Sequence, residues 1–274
     1  MKIDFENLSM SEIVGLVNDP NRCPGAANSI RRVLQEAMLP SNSLIVEIGS
    51  NTGFTSIEFA LRKPDSKVVG IDVNKSSVEH AKQKAKKHGV KNVTFYVDDA
   101  TDIKKVKPKS ADLLFASNVT SFIKDKETAL KNYDALLKDG GILCLIPIHY
   151  HTLPSENLRK KVEALIGTDL SKNKFSHWEN LFSKNLKSYS QFFREDYKFA
   201  PIPRAKIKEY VETVFKECKT LKLTDEDDEK LKKRFFEMLI VFNENLKHCH
   251  FTILLYRKTL ANAEPQLNQY IKIN

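Results

Sequence analysis

Five stretches of the chain carry residue types that could do chemistry together. Glu47-Ile48-Gly49-Ser50-Asn51-Thr52-Gly53 closes one apolar run, Asp72 closes the next, and Asp98-Asp99-Ala100 follows a third; Ser117-Asn118 and His149-Tyr150-His151 follow two more. Glycines let a backbone come close to a ligand, and a helix starting near Thr55 would turn free N–H groups toward the same place. A nucleoside-triphosphate loop is excluded, because three residues rather than four separate Gly49 from Gly53 and Phe54 stands where a lysine belongs. A dinucleotide loop is disfavoured, because Asn51 and Phe54 replace two of its glycines. Glu47 argues in the same direction: a carboxylate there repels a pyrophosphate and favours a ligand with ammonium or sulfonium charge. Asp72 has the acceptors to hold both hydroxyls of a ribose, and Asp99 could meet an adenine amino group.

Elements that would position these residues follow from the apolar pattern. Leu44 to Ile48, Lys67 to Val73, Val93 to Val97, Ala111 to Ala116 and Ile142 to Ile148 read as strands; Thr55 to Arg62, Ser76 to His88 and Ala129 to Leu137 read as the helices between them. Such alternation implies right-handed βαβ units and a parallel sheet, with the loops in question at its carboxyl edge. Ser11 to Val17 and Ala27 to Met38 are expected as helices before the first strand. Beyond Ile148 the alternation stops: a helix is expected over 176–183, a strand over 186–197, helices over 205–218 and 225–246, and a last strand over 250–257.

Composition bounds the answer further. The 274 residues carry 44 Lys and Arg against 35 Asp and Glu, a formal charge of +9, but the lysines are dispersed and the densest group, on the helix after Asp72, reads as a solvated face rather than a nucleic-acid site. Four scattered cysteines suggest neither a disulfide framework nor a metal cluster, and no metal is expected. No apolar run is long enough for a membrane span, and the cytoplasm is the expected compartment.

Residues 44 to 148 resemble the class I, Rossmann-like S-adenosylmethionine-dependent methyltransferases. Leu44 to Gly53 is similar to their first motif, Gly70-Ile71-Asp72-Val73 to their ribose-binding motif, Asp99-Ala100 to their adenine-contacting pair, Ala111 to Asn118 to their fourth strand, and Leu136 to Gly141 to the turn before their fifth. His177 to Phe182 resembles the helix before their sixth strand. One departure is plain: the family carries Gly where this chain has Asn51.

The resemblance implies an α/β fold with a doubly wound, mostly parallel seven-stranded sheet, an antiparallel last strand and a helical lid insertion. The expected organisation is a helical cap over 1–40, the cofactor-binding core over 41–200, the lid over 201–248, and a last strand with tail over 249–274. It implies S-adenosylmethionine as cofactor, held by Glu47, Gly49, Ser50, Asn51, Gly53, Asp72, Val73, Asp99, Ala100 and Ser117. Methyl transfer is in-line and needs mainly positioning; His149, Asn118 and Tyr150 are the candidates on the acceptor side, with His149 as a base. A small-molecule acceptor is expected, with an RNA or protein methyltransferase and a non-catalytic binding module as alternatives; the oligomeric state stays open. Trp178, Tyr189, Phe192, Phe193, Tyr197 and Phe199 could line an acceptor pocket, Glu195, Asp196, Asn243, Glu244 and Asn245 could recognise an amine, and Arg22 could close over the cofactor.

Overall fold

The structure is a computed structural model that describes residues 3–219 and 221–259. The expected tail therefore lies mostly outside the described residues. Nine helices among them are α1 (Met10–Val17), α2 (Ala26–Ala37), α3 (Phe54–Arg62), α4 (Lys75–Lys87), α5 (Lys126–Leu136), α6 (Glu156–Ile166), α7 (Phe175–Asn185), α8 (Arg204–Glu217) and α9 (Asp225–Leu246). The strands are β1 (Leu44–Ile48), β2 (Lys67–Asp72), β3 (Val93–Val97), β4 (Ala111–Ser117), β5 (Leu137–Ile146), β6 (Ile148–Tyr150), β7 (Tyr189–Lys198) and β8 (Cys249–Lys258).

All eight strands join one sheet, ordered β3-β2-β1-β4-β5-β8 with β6 and β7 also on β8. Pairings among β1 to β5 are parallel, and β8 runs antiparallel to β5, β6 and β7. The count exceeds the expected seven for a local reason. β5 and β6 lie along the same flank of β8 and are split at Pro147, which has no N–H to give a ladder. The central strands are apolar almost throughout because helices cover both faces. On one face α2 and α3 bring Ile30, Val33 and Phe59 onto Ile45, Leu113 and Phe115. On the other, α5 and α7 bring Tyr133, Trp178 and Phe182 onto Leu114, Leu143 and Leu254.

A separate helical layer is built from four distant stretches. Leu231, Phe235 and Met238 repeat at helical spacing on α9 and pack with Val211 and Val214 of α8, Leu165 of α6 and Ile13, Val14 and Val17 of α1. Thr224 caps the start of α9, and the four acids Asp225 to Asp228 fill its first turn, where the helix dipole favours negative charge. α1 thus joins the α8–α9 layer and α2 the sheet.

Candidate active site

The glycine loop turns at the carboxyl end of β1. Gly49 has φ of +76°, and a Cβ there would lie 2.6 Å from Val119, so the short 3-10 turn after β4 (Val119–Ser121) packs directly on the loop backbone. The Gly49 and Ser50 amides donate to the Ile71 carbonyl, tying the loop to β2. Asn51 occupies the left-handed region at φ +45°. Asn enters that region more readily than other side chains, so it substitutes for a glycine at small cost. Its Oδ1 accepts from the Thr52 amide at 2.7 Å, and its own amide donates to Asp72 Oδ2 at 2.9 Å.

Asp72 ends β2 with each oxygen accepting one backbone N–H, from Asn51 and from Asn74 at 2.8 Å. A carboxylate offers about four acceptor sites, so two bonds leave room for two more. Burial raises its pKa above the usual carboxylate value, against the two amide bonds. Val73, the next residue, is an apolar side chain 66% exposed, and Val97 at the end of β3 is 44% exposed. Asp99 caps its own turn through the Thr101 amide and hydroxyl, which hold its pKa low, and Ala100 is buried beside it. Asp98 holds the Lys104 and Lys105 amides. Ser50 Oγ, in the loop, and Ser117 Oγ, at the end of β4, are buried with no hydrogen-bond partner.

Glu47 is almost wholly buried, accepts from Ser56 Oγ on α3, and is pushed up to about 8 by burial. It stands behind the loop against α3.

The three acceptor-side candidates face three different environments. Asn118 sits at φ +55° and uses Oδ1 to hold the Ile148 amide and Ser121 Oγ, bracing the loop after β5. Tyr150 donates its hydroxyl to Asn245 of α9 at 2.9 Å, among Val162, Leu170 and Cys249. His149 is buried, pairs through Nε2 with Thr252 Oγ1, and is pushed down to about 4 by burial.

The groups considered for an amine site already hold other partners. Glu195 pairs with Arg32, Asp196 with Arg194 and Thr252, Asn243 with the Ile202 backbone, and Glu244 with Lys247. Among the aromatics, Trp178 is core and bonds Asn173, Tyr189 bonds Asp134, and Tyr197 stacks on Phe251 with ring centres 4.9 Å apart. Arg22 lies over the Phe54 ring at 5.3 Å.

Sequence reading missed the strap that joins the loop to the helical layer. Thr52 Oγ1 donates to the Asp19 carbonyl at 2.6 Å in a buried contact, while Asp19 Oδ1 accepts from the Tyr210 hydroxyl of α8. Burial raises the Asp19 pKa despite the Tyr210 bond. A cavity of about 340 Å³ opens between Pro201–Arg204 and α9, but none of its lining residues belongs to the sheet edge. Among the described residues no group of three or more His, Cys, Asp or Glu could hold a metal, and no helix is long and apolar enough to cross a membrane.

The family model described as "Methyltransferase domain" matches residues 39–217, well over half of the chain. The chain belongs to the methyltransferase domain family. Its fold is that of the class I S-adenosylmethionine-dependent methyltransferases. This methyltransferase domain is 30% identical over 100 residues to malonyl-[acyl-carrier protein] O-methyltransferase 2 of Ilyobacter polytropus, covering 36% of this chain and 37% of that protein. It is 26% identical over 146 residues to trans-aconitate 2-methyltransferase of Methylobacterium radiotolerans, covering 53% and 52%. It therefore spans between about a third and a half of these relatives' lengths. Among solved structures, that of MccD protein aligns with a TM-score of 0.69 at 20% identity over 87% of this chain and all of that one, a likeness of fold.

Proposed function

We propose that this methyltransferase domain transfers a methyl group from S-adenosylmethionine to a small-molecule acceptor. The observation that carries the reading is the set of unspent polar groups at one edge of the sheet: Ser50 and Ser117 hydroxyls buried without partners, and an Asp72 carboxylate with acceptor capacity remaining. These residues fit an adenosyl ligand. Asp72 would take the ribose hydroxyls, exposed Val73 would cover one face of the adenine, Asp99 and Ala100 would border its edge, and the loop from Gly49 to Gly53 would carry the methionine end. The cofactor supplies an activated methyl on a sulfonium.

The chain's own contribution is then placement. Holding the acceptor in line and away from bulk water can provide several kcal/mol, on the order of the effective-molarity effect, without covalent catalysis. The α1, α6, α8 and α9 layer, strapped to the loop through Thr52, Asp19 and Tyr210, is the element suited to excluding water. Trans-aconitate, the acceptor in one relative's name, supports a compact metabolite-sized substrate. The test is incubation with methyl-labelled cofactor and a fractionated metabolite extract. Label passing to a small product that disappears in Asp72→Ala supports the reading; label passing only to added RNA or protein would overturn the substrate class.

A further inference from the structure

α1 meets its neighbours through two faces of different chemistry. The apolar face, Ile13, Val14 and Val17, packs with Leu165 of α6, Val211 of α8 and Phe235 of α9. The other face lies on α4, where Gly15 keeps the approach close: a Cβ on it would stand 3.7 Å from Asn74 Nδ2 and 3.8 Å from Ser77 Oγ. Among the described residues, none from α4 belongs to the apolar cluster of the helical layer.

Contacts across this seam are polar and poorly matched. Thr52 Oγ1 donates to the Asp19 carbonyl at 2.6 Å, but Lys84 Nζ reaches the Asn18 carbonyl, and Asn74 Nδ2 the Ser11 hydroxyl, at 3.4 Å each. His80 of α4 faces the Gly15 backbone. Ser77 Oγ and Asn18 Oδ1 are buried without a hydrogen-bond partner among the described residues. Burial pushes Lys84 down to about 8, so its charge is poorly repaid where it stands. Buried polar groups left unpaired regain their bonds when water reaches them, so the closed seam holds little advantage over an open one.

The far end of the layer is joined by apolar packing instead. Tyr150 of β6 and Cys249 of β8 are buried with Val162 of α6 and Leu170, and Val241 of α9 packs against them. Tyr150 also donates to Asn245 of α9 at 2.9 Å. Opening this joint would return apolar surface to water, whereas opening the seam would not. α1 is tied to the layer at its end, since Asn18 Nδ2 donates to the Cys218 carbonyl at 2.8 Å and Tyr210 of α8 donates to Asp19.

The seam lies at the cofactor edge. The Asn74 amide donates to Asp72 Oδ1 at 2.8 Å, and Thr52 follows Asn51, whose amide donates to Asp72 Oδ2 at 2.9 Å. α1 and its strap thus touch both segments that hold the Asp72 carboxylate. We infer that the α1, α6, α8 and α9 layer is a lid that pivots on the Tyr150–Cys249 joint and opens along the α1–α4 seam to admit and release the adenosyl ligand. Thr52 is its latch. The identity of the ligand rests on the methyl-transfer reading.

The Gly15 and Ser77 positions are close enough for two cysteines to be bridged. The test is the rate at which Gly15→Cys/Ser77→Cys takes up tritiated S-adenosylhomocysteine, oxidised and then reduced with dithiothreitol, with the bridge verified by peptide mass spectrometry. Oxidation should slow uptake at least about ten-fold, and reduction should restore the wild-type rate. A second measurement needs no ligand: thiol labelling of Ser77→Cys, corrected for the native cysteines by the wild-type chain. Adding Thr52→Val should speed that labelling at least about three-fold, because the shortest bond across the seam is gone. Equal uptake by the oxidised and reduced forms, or labelling unmoved by Thr52→Val, would overturn the lid. Labelling that responds in a chain that takes up no S-adenosylhomocysteine in either form would leave the lid standing and remove the methyl-transfer reading.

Discussion

Glu47→Gln should change how stability depends on pH, by an amount the structure sets. Burial raises Glu47 from 4.5 to about 8, so between these values the folded chain keeps a proton that the unfolded chain releases. Stability from this group is complete below pH 4.5 and is lost as pH rises through 8. Integrating the linkage, the wild type should lose about 1.6 kcal/mol between pH 6.5 and 8 from Glu47 alone. His149 works in the opposite direction, since its pKa falls to about 4 and its destabilising protonation lies between that and 6.5. At pH 6.5 the unfolded His149 is half protonated, so it gives back about 0.4 kcal/mol across this range, equally in wild type and variant. Gln retains an acceptor for Ser56 Oγ and has nothing to titrate. Urea unfolding at pH 6.5, 7.2 and 8.0 without cofactor should show the decline in wild type and a flatter profile in Glu47→Gln. An unchanged slope in the variant, or no slope in wild type, would refute the reasoning.

Other substitutions test other parts of the account. Asn51→Gly should keep the loop and cofactor binding, whereas Asn51→Val, at φ +45°, should cost about 1–2 kcal/mol or more and weaken binding; equal behaviour in urea unfolding and titration would contradict the backbone role. Tyr210→Phe takes the phenol donor from the buried Asp19 and should cost about 1–3 kcal/mol, read by denaturant midpoint; a change under a few tenths would show that the strap carries no energy. Phe235→Ala, in the middle of the four-helix layer, should cost about 3–5 kcal/mol in the same assay, and a loss below about 1 kcal/mol would mean the layer is loosely packed.

How much of this was legible depends on sequence distance. The loop after β1, Asp72 and Asp99 could be read because each ends an apolar run, and a run has a period visible in one stretch of chain. Asn51 stood out as a departure, and only its positive φ explains why it is tolerated. Other features are long-range. Thr52 meets Asp19 across 33 residues and Tyr210 meets Asp19 across 191, so neither contact leaves a local pattern. Glu47 was read as an acid facing a cationic ligand; the bond its carboxyl accepts from Ser56 Oγ of α3, nine residues on, leaves no local pattern. His149 and Tyr150 were adjacent candidates, yet neighbours on a strand point to opposite faces and reach different partners. Thr252, a lone buried hydroxyl in the apolar β8, was the one available sign of its bond to Asp196.

The claim on which the rest depends is that the edge formed by Gly49–Gly53, Asp72 and Val73 holds an adenosyl ligand. Isothermal titration of the intact chain with S-adenosylhomocysteine measures it directly. The account predicts saturable one-to-one binding that Asp72→Ala weakens by at least about ten-fold, roughly 1.4 kcal/mol, since two ribose hydroxyls lose their shared acceptor. Absence of binding to the folded wild type, or undiminished binding to Asp72→Ala, would contradict it.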